Sequence, residues 1–294
     1  MADPLHNVYT PLRYPGGKAR LAPFFKDILK QNTLCGCHYA EPYAGGGGVA
    51  LSLLLTQYCS HIHLNDISYP LYCFWKSVLD HTDQFCKQMT DTPVTPKTWD
   101  SQKEVMRHYS DFSAEELGFA FFFLNRTNRS GILNGGMIGG RAQTGKWLID
   151  ARYNKDTLIS RIENIAEYKH KISIHNMDAK DFLESIIPSL PERSLVYLDP
   201  PYYVKGRDLY ADHYSHDDHK QISDIIQEQI KQSWVVTYDY CDAIVKFYRK
   251  RRCYVYSLGY SAFEYRVGSE LMIFCDSIKV PEAAFIRPED GIAA

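Results

Sequence analysis

Leu195-Val196-Tyr197-Leu198-Asp199-Pro200-Pro201-Tyr202-Tyr203 is the stretch on which fold and chemistry both turn. Its apolar run has no polar break, the pattern of a strand covered on both faces in a parallel sheet. The two prolines end that strand, because neither can donate to a ladder. Asp199 therefore sits at a strand's carboxyl end, the edge where open α/β sheets bind ligands. Pro200 and Pro201 lack N–H groups, so the loop offers acceptors: the Asp199 carboxylate and nearby carbonyls. Such a set suits a neutral –NH2 group. Accepting both of its protons draws the nitrogen lone pair out of ring conjugation and makes it a nucleophile. Tyr202 adds a flat face for the ring. An aromatic amine fits, and a nucleobase above all. A bare Asp-Pro would mark only a strand-ending turn; the full Asp-Pro-Pro-Tyr after a buried strand marks a site.

Upstream, Cys37 to Pro42 reads as a short strand, Tyr43-Ala44-Gly45-Gly46-Gly47-Gly48 as a turn, and Val49 to Tyr58 as an apolar helix. Strand, glycine turn and helix make the first unit of a nucleotide-binding α/β domain. His61 to Asp66 follows as an alternating strand ending in an acid. Asp66 lies 21 positions after Gly45, the spacing of the acid that holds ribose hydroxyls in dinucleotide-binding folds. An adenosine-bearing ligand is expected there. Before this unit, Arg13-Tyr14-Pro15-Gly16-Gly17-Lys18 forms a turn whose glycines allow close backbone approach to a ligand. Leu21, Phe24, Phe25, Ile28 and Leu29 then make a helical stripe.

Between residues 69 and 168 helices dominate, at roughly 69–80, 97–109 and 114–126. Ser113 and Glu116 form a capping box for the last, which is apolar nearly all round and so buried. It ends at Asn125-Arg126-Thr127-Asn128-Arg129-Ser130-Gly131. A loop-like stretch rich in glycine follows, carrying Asn134, Arg141 and Lys146. Loops this long in a compact chain are usually functional, and these residue types read base edges and grip phosphates.

Asn154 caps a further helix, Lys171 to His175 reads as a strand, and Asp178 to Phe182 opens another helix. Asp178 either receives an adenine amino group or is a plain N-cap. Lys205 to Ser215 is a polar loop able to close over the site. Ser215 and Asp218 start a helix to about Ile230. Ser233 to Tyr238, Cys253 to Leu258 and Leu271 to Cys275 read as strands, and 241–248 as a short helix. The basic run from Lys246 to Arg252 reads as a solvated helix end. Pro281 to Ala294 reads as a loose tail.

The chain has 294 residues and a net charge of −2. That charge gives no general attraction to nucleic acid, so any DNA-binding surface must be local. No apolar run is long enough to span a membrane, and the N-terminus lacks the regions of a signal peptide. The eight cysteines follow no zinc or disulfide spacing, and free thiols in a reducing cytoplasm are expected. No metal cluster is expected either.

Taken together, Arg13 to Lys18, Glu41-Pro42-Tyr43-Ala44-Gly45-Gly46-Gly47, Asn65-Asp66, Asn125-Arg126 with Gly131, and Asp199-Pro200-Pro201-Tyr202 resemble the Dam-type DNA adenine N6-methyltransferases. The resemblance spans about residues 9–276. It implies a Rossmann-like α/β methyltransferase sheet, discontinuous over 1–68 and 169–280, with a helical target-recognition insertion over 69–168. It implies S-adenosyl-L-methionine as methyl donor, bound by Tyr14, Lys18, Pro42, Gly45, Gly47, Asp66, Asp178, Phe182 and Asp199. It makes Asp199, Pro200, Pro201 and Tyr202 the catalytic tetrad. By residue type and place in the loop, Arg126, Asn128, Arg129, Ser130, Asn134, Arg141 and Lys146 are the expected contacts to double-stranded DNA. Tyr14 stands where several members carry Trp. Around Gly131 the residues depart from those of members that read GATC, so that site is not implied.

The reaction so implied is direct transfer to the exocyclic amine of a flipped-out adenine, by a monomer or weak dimer, with or without a separate restriction enzyme. An RNA adenine or cytosine-N4 methyltransferase stays open on the tetrad alone. A nicotinamide dehydrogenase would leave the tetrad unexplained. A catalytically silent DNA-binding module would have no need of one.

Overall fold

The computed structural model describes residues 9–14, 16–203, 214–259 and 267–289. A single eight-stranded sheet organises them, in the order β3-β2-β1-β4-β5-β7-β6-β8. Its strands are β1 (Cys37–Glu41), β2 (Cys59–Asn65), β3 (Ile172–His175), β4 (Ser194–Leu198), β5 (Ser233–Asp239), β6 (Arg252–Gly259), β7 (Val267–Phe274) and β8 (Ile286–Pro288). The first five are parallel, and β6 to β8 join antiparallel. This is the α/β, Rossmann-like arrangement expected. All five residues of β4 are buried, as its unbroken apolar run requires. The strand order reverses between β1 and β4, and such a switch point opens a ligand crevice at the strands' carboxyl ends.

Helix α1 (Ala22–Gln31) buries the expected stripe of Phe24, Phe25, Ile28 and Leu29, with Phe25 reaching Tyr197 of β4 at 4.6 Å between ring centroids. Helix α2 (Gly48–Leu55) starts at the glycine turn and ends three residues earlier than its apolar run suggests. Gln57 there adopts a positive φ of 63°, which no helix can continue.

Between β2 and β3 the described chain contributes no sheet strand. It forms α3 (Tyr69–Asp80), α4 (Thr82–Asp91), α5 (Pro96–Arg107), α6 (Ala114–Thr127) and α7 (Lys155–Ala166). Helix α3 packs on α6, with Phe74 stacked on Phe122 at 5.6 Å. Gly118 makes that approach possible, since a Cβ there would lie 2.7 Å from the Cys73 carbonyl oxygen. The capping box at Ser113 and Glu116 forms, and Asn154 caps α7 through Thr157 N–H.

Two elements differ from expectation. Helix α4 buries only Phe85, Cys86 and Met89, a stripe too narrow for its periodicity to register. The segment expected as a loose tail pairs Ile286–Pro288 with Tyr254–Tyr256 of β6, covering that sheet edge. Residues 290–294, and residues 204–213 of the expected closing loop, lie outside the described residues. All eight cysteines are free. Among the described residues no helix is long and apolar enough to cross a membrane, and no group of three His, Cys, Asp or Glu is placed to hold a metal ion.

Candidate active site

The tips of β1, β2 and β4 and the turn before α1 converge on one crevice. Asn65 ties three of the strand ends: its Nδ2 donates to the Pro42 and Met177 carbonyls at 3.0 Å, and its Oδ1 accepts from Met177 N–H at 3.1 Å. Asp66 carries the next brace. One oxygen accepts from Gly45 N–H at 3.0 Å and the other from Ser68 N–H at 3.0 Å. Gly45 has φ 48° and lies under the Tyr14 ring, where a Cβ would be 2.7 Å from a ring carbon. Trp75 of α3 donates to the Gly45 carbonyl at 3.3 Å, so the helix after β2 also locks the glycine turn. Gly47 supplies the N-cap of α2.

Across the crevice, Lys18 and the tetrad meet. The Lys18 Nζ donates to Asp199 at 3.0 Å, to Tyr202 Oη at 3.4 Å and to the Gly16 carbonyl at 3.2 Å. It also lies 5.3 Å from the Tyr202 ring centroid. A second carboxylate, Glu270 of β7, stands 3.6 Å from the same ammonium. Glu270 accepts from Tyr202 Oη at 2.7 Å and from the Tyr256 hydroxyl. Lys18 and Glu270 side chains are only 3% and 5% exposed, whereas Asp199 is 23% exposed and opens toward the crevice.

Behind Asp199 runs a short relay. Tyr197 Oη lies 2.9 Å from Thr237 Oγ1, which donates to Asp199 Oδ1 at 2.7 Å. Burial pushes the Asp199 carboxyl up from its usual range; Lys18 and Thr237 pull it back, and Glu270 pushes it up again. Glu41, at the end of β1, is pushed up to about 8 by burial, against hydrogen bonds from Tyr39 Oη and Ala50 N–H. The backbone after the tetrad is held by Asp239 of β5, which accepts from Tyr203 N–H at 2.7 Å.

Of the expected cofactor residues, the structure thus brings Tyr14, Lys18, Pro42, Gly45, Gly47, Asp66 and Asp199 to one crevice. Asp178 caps a single turn at Ala179–Asp181, accepting from Lys180 N–H at 2.8 Å. Phe182 is fully buried, with its ring edge-on to His175. Tyr214 was missed. Its hydroxyl accepts from Tyr43 Oη at 3.1 Å, and both Asp178 and Asp66 help push its phenol up to about 12, after burial. Glu270 and Thr237 were missed for one reason: each acts across a strand pairing that no local motif marks.

The expected DNA contacts divide. Asn128 is turned inward. It is fully buried, with Oδ1 accepting from Trp99 Nε1 at 2.7 Å and Nδ2 donating to the Ile132 and Leu133 carbonyls. Both of its donors are spent on the loop, which it braces. Arg129, Ser130, Asn134, Arg141 and Lys146 are exposed. Arg141 forms a two-pronged ion pair with Asp100 at 2.6 and 2.9 Å. The loop is fastened to the active-site turn by Asn125, which hydrogen-bonds both Arg13 N–H and Arg13 C=O. Gly131 passes so close that a Cβ there would lie 2.3 Å from the Arg13 carbonyl oxygen.

The family model for D12 class N6 adenine-specific DNA methyltransferase matches residues 14–260. No curated protein sequence matches the chain. Similar solved structures include an rRNA methyltransferase from Streptomyces viridochromogenes, at 13% identity and TM-score 0.39, covering 93% of each chain. A conserved hypothetical protein of Streptococcus pyogenes follows at 10% identity and TM-score 0.31, covering 82% of this chain and 86% of that one.

Proposed function

From the premise that this chain belongs to the D12 class N6 adenine-specific DNA methyltransferase family, we propose that the crevice around Lys18, Asp199 and Tyr202 is where a flipped-out adenine is methylated. The enzyme is a methyltransferase and DNA is its substrate class. Dam-type action on double-stranded DNA by a monomer or weak dimer is our finer reading, with residues 69–168 as the target-recognition insertion.

The crevice suits S-adenosyl-L-methionine. The absence of a Cβ at Gly45 lets the Tyr14 ring lie directly on the glycine turn as a flat wall, and Asp66 stands at the end of β2 where ribose hydroxyls are held. When bound, the cofactor supplies an electrophilic methyl group on a sulfonium. The protein's own part is to hold the acceptor in line with it.

A base inside a duplex cannot reach this crevice, and extruding it costs a few kcal/mol. Stacking on Tyr202 recovers about 1–3 kcal/mol. The Tyr202 hydroxyl is tied to Glu270, which fixes the ring's orientation in advance. Asp199 and the Pro200 carbonyl then accept the two amine protons, and positioning does most of the catalysis. Asp199 already receives Lys18 and Thr237. A carboxylate has about four lone-pair sites, so the amine competes chiefly with Lys18. Glu270 gives that ammonium a second anionic neighbour, so Lys18 can yield to the base without becoming an unpaired buried charge. No proton need leave the amine before transfer, since a carboxylate is too weak a base to take it.

The observation that carries this reading is the meeting of Lys18, Asp199 and Tyr202 beside the Gly45 turn. It is tested in single-turnover reactions with labelled S-adenosyl-L-methionine and duplex DNA. Asp199→Ala is expected to lose transfer by at least about a hundredfold, the loss typical for removing one preorganised electrostatic contact, while DNA affinity holds. Near-wild-type turnover by the variant would remove Asp199 from the chemistry.

A further inference from the structure

Four arginines from four separate segments gather where the recognition loop meets the active-site turn: Arg13 before Tyr14, Arg126 at the end of α6, Arg152 after the glycine-rich loop, and Arg161 on α7. Each of the three half-buried ones reaches a backbone carbonyl. Arg13 donates to the Asn128 carbonyl at 2.9 Å and Arg161 to the Thr10 carbonyl at 3.3 Å. Arg126 donates to the Arg152 carbonyl at 2.7 Å and the Pro11 carbonyl at 3.4 Å. Arg152 is exposed, with its guanidinium 5.9 Å from the Trp147 ring centroid. Among the described residues none of the four has an acidic partner.

Carbonyls satisfy donors but neutralise no charge. Burial pulls Arg126 down to about 9, and Arg13, Arg161 and Arg152 oppose its charge further, though it stays cationic at neutral pH. In a chain of net charge −2, acids were available to compensate such a group, and elsewhere they do: Arg141 pairs with Asp100 and Arg251 with Asp276. A cationic knot left without an anion among the described residues is arranged for one from outside. Planar guanidiniums match phosphate oxygens in geometry as well as charge.

We propose that Arg13, Arg126, Arg152 and Arg161 form a clamp for a backbone phosphodiester of the DNA substrate, close to the extruded adenine. Arg13 lies five residues before Lys18, so the two Cα atoms are at most about 17 Å apart. The inference rests on the proposed DNA-methylating function and gives this surface a specific role, which is to position the strand without reading its sequence.

The test uses Arg152→Gln and Arg161→Gln, which leave the hydrogen bonds of Arg13 and Arg126 in place. Binding of a fluorescein-labelled duplex to the full chain is followed across a salt series, with thermal melting and cofactor calorimetry alongside. Each substitution is expected to reduce the slope of log K against log salt by about 0.9. Recognised and scrambled duplexes should weaken equally, cofactor affinity should hold, and Tm should not fall, because like charges have been separated. Unchanged slopes in both variants would overturn the clamp, whatever happens to Tm. If the wild type still methylates adenine in that case, the family function stands and the clamp alone fails. If the wild type neither binds nor methylates duplex DNA, both are lost.

Discussion

Two charged knots lie on either side of the Tyr14 turn, and they are built on opposite plans. Around Lys18, one ammonium faces two carboxylates, all three are hydrogen-bonded within the protein, and only Asp199 is partly exposed. Around Arg126, among the described residues, the guanidiniums of Arg13, Arg126 and Arg161 meet carbonyls and that of Arg152 lies by the Trp147 ring, with no acid against any of them. The first arrangement uses its electrostatics to hold a fixed geometry, as a site that must align a nitrogen with a methyl group requires. The second keeps its charge uncompensated for a partner that carries the opposite sign.

Breaking the balanced knot should have the largest effect. Lys18→Met leaves Asp199 and Glu270 facing each other, and removing one partner of a buried pair costs about 3–5 kcal/mol. The pH dependence follows from the direction of the Asp199 shift. Its carboxyl is raised by burial and held down by Lys18. Without Lys18 it rises further and takes up a proton at higher pH, and a protonated Asp199 accepts poorly. The acid limb of the kcat profile should therefore move to higher pH. The lost stability should be worst at high pH, where Asp199 is ionised, and ease as the pH falls. Denaturant melts and rate profiles across pH check both halves; an acid limb that stays in place contradicts the coupling.

Next in size is the brace on the glycine turn. Asp66→Ala removes hydrogen bonds from a charged acceptor worth about 1.5–3 kcal/mol. Cofactor affinity should drop by roughly tenfold to a hundredfold at about 1.4 kcal/mol per decade, with duplex affinity unchanged. Calorimetry finding the wild-type cofactor affinity would remove Asp66 from that role. Thr237→Val is gentler, since it deletes one donor behind Asp199 and leaves Lys18 in place. About a tenfold loss in kcat with little change in KM is expected, near the lower end for a hydrogen bond to a charged group. A rise in KM with kcat intact would show that Thr237 serves substrate binding instead.

The smallest effect concerns a third, uncharged arrangement on the same sheet. His38 and His63 share a 3.1 Å hydrogen bond, and His61 stacks beside them. Burial, then His61, His38 and His175, pull His63 down from 6.5 to about 3. Between those values the unfolded chain binds a proton that the folded one refuses, so stability should decline as pH falls through that window. His63→Phe should flatten the decline in urea melts between neutral and acid pH. An equally steep decline in the variant would place the acid sensitivity elsewhere.

The legible parts of the molecule were those where a local pattern has one physical solution. The unbroken run from Leu195 to Leu198, the glycine turn with Asp66 at its spacing, and the capping box at Ser113 each state their geometry within a few residues. Residues that act across a strand pairing were illegible. Glu270 precedes an apolar strand with nothing local to mark it, and only the antiparallel pairing of β7 with β5 and β6 brings it to Lys18. Asn128 misled in the other direction. A polar residue in a glycine-rich stretch suggests a reader of bases, yet burial beside Trp99 commits its amide to the loop itself. Helix α4 escaped notice because three apolar side chains give too thin a stripe. The arginine knot was invisible because its members lie far apart in the chain.

The central claim is that this pocket methylates adenine at its exocyclic amine, and the product itself decides it. Duplex DNA is treated with the wild-type chain and isotopically labelled S-adenosyl-L-methionine, digested to nucleosides and resolved by mass spectrometry. The account predicts label in N6-methyldeoxyadenosine. Label in N4-methyldeoxycytidine, or in RNA but not in DNA, would contradict it.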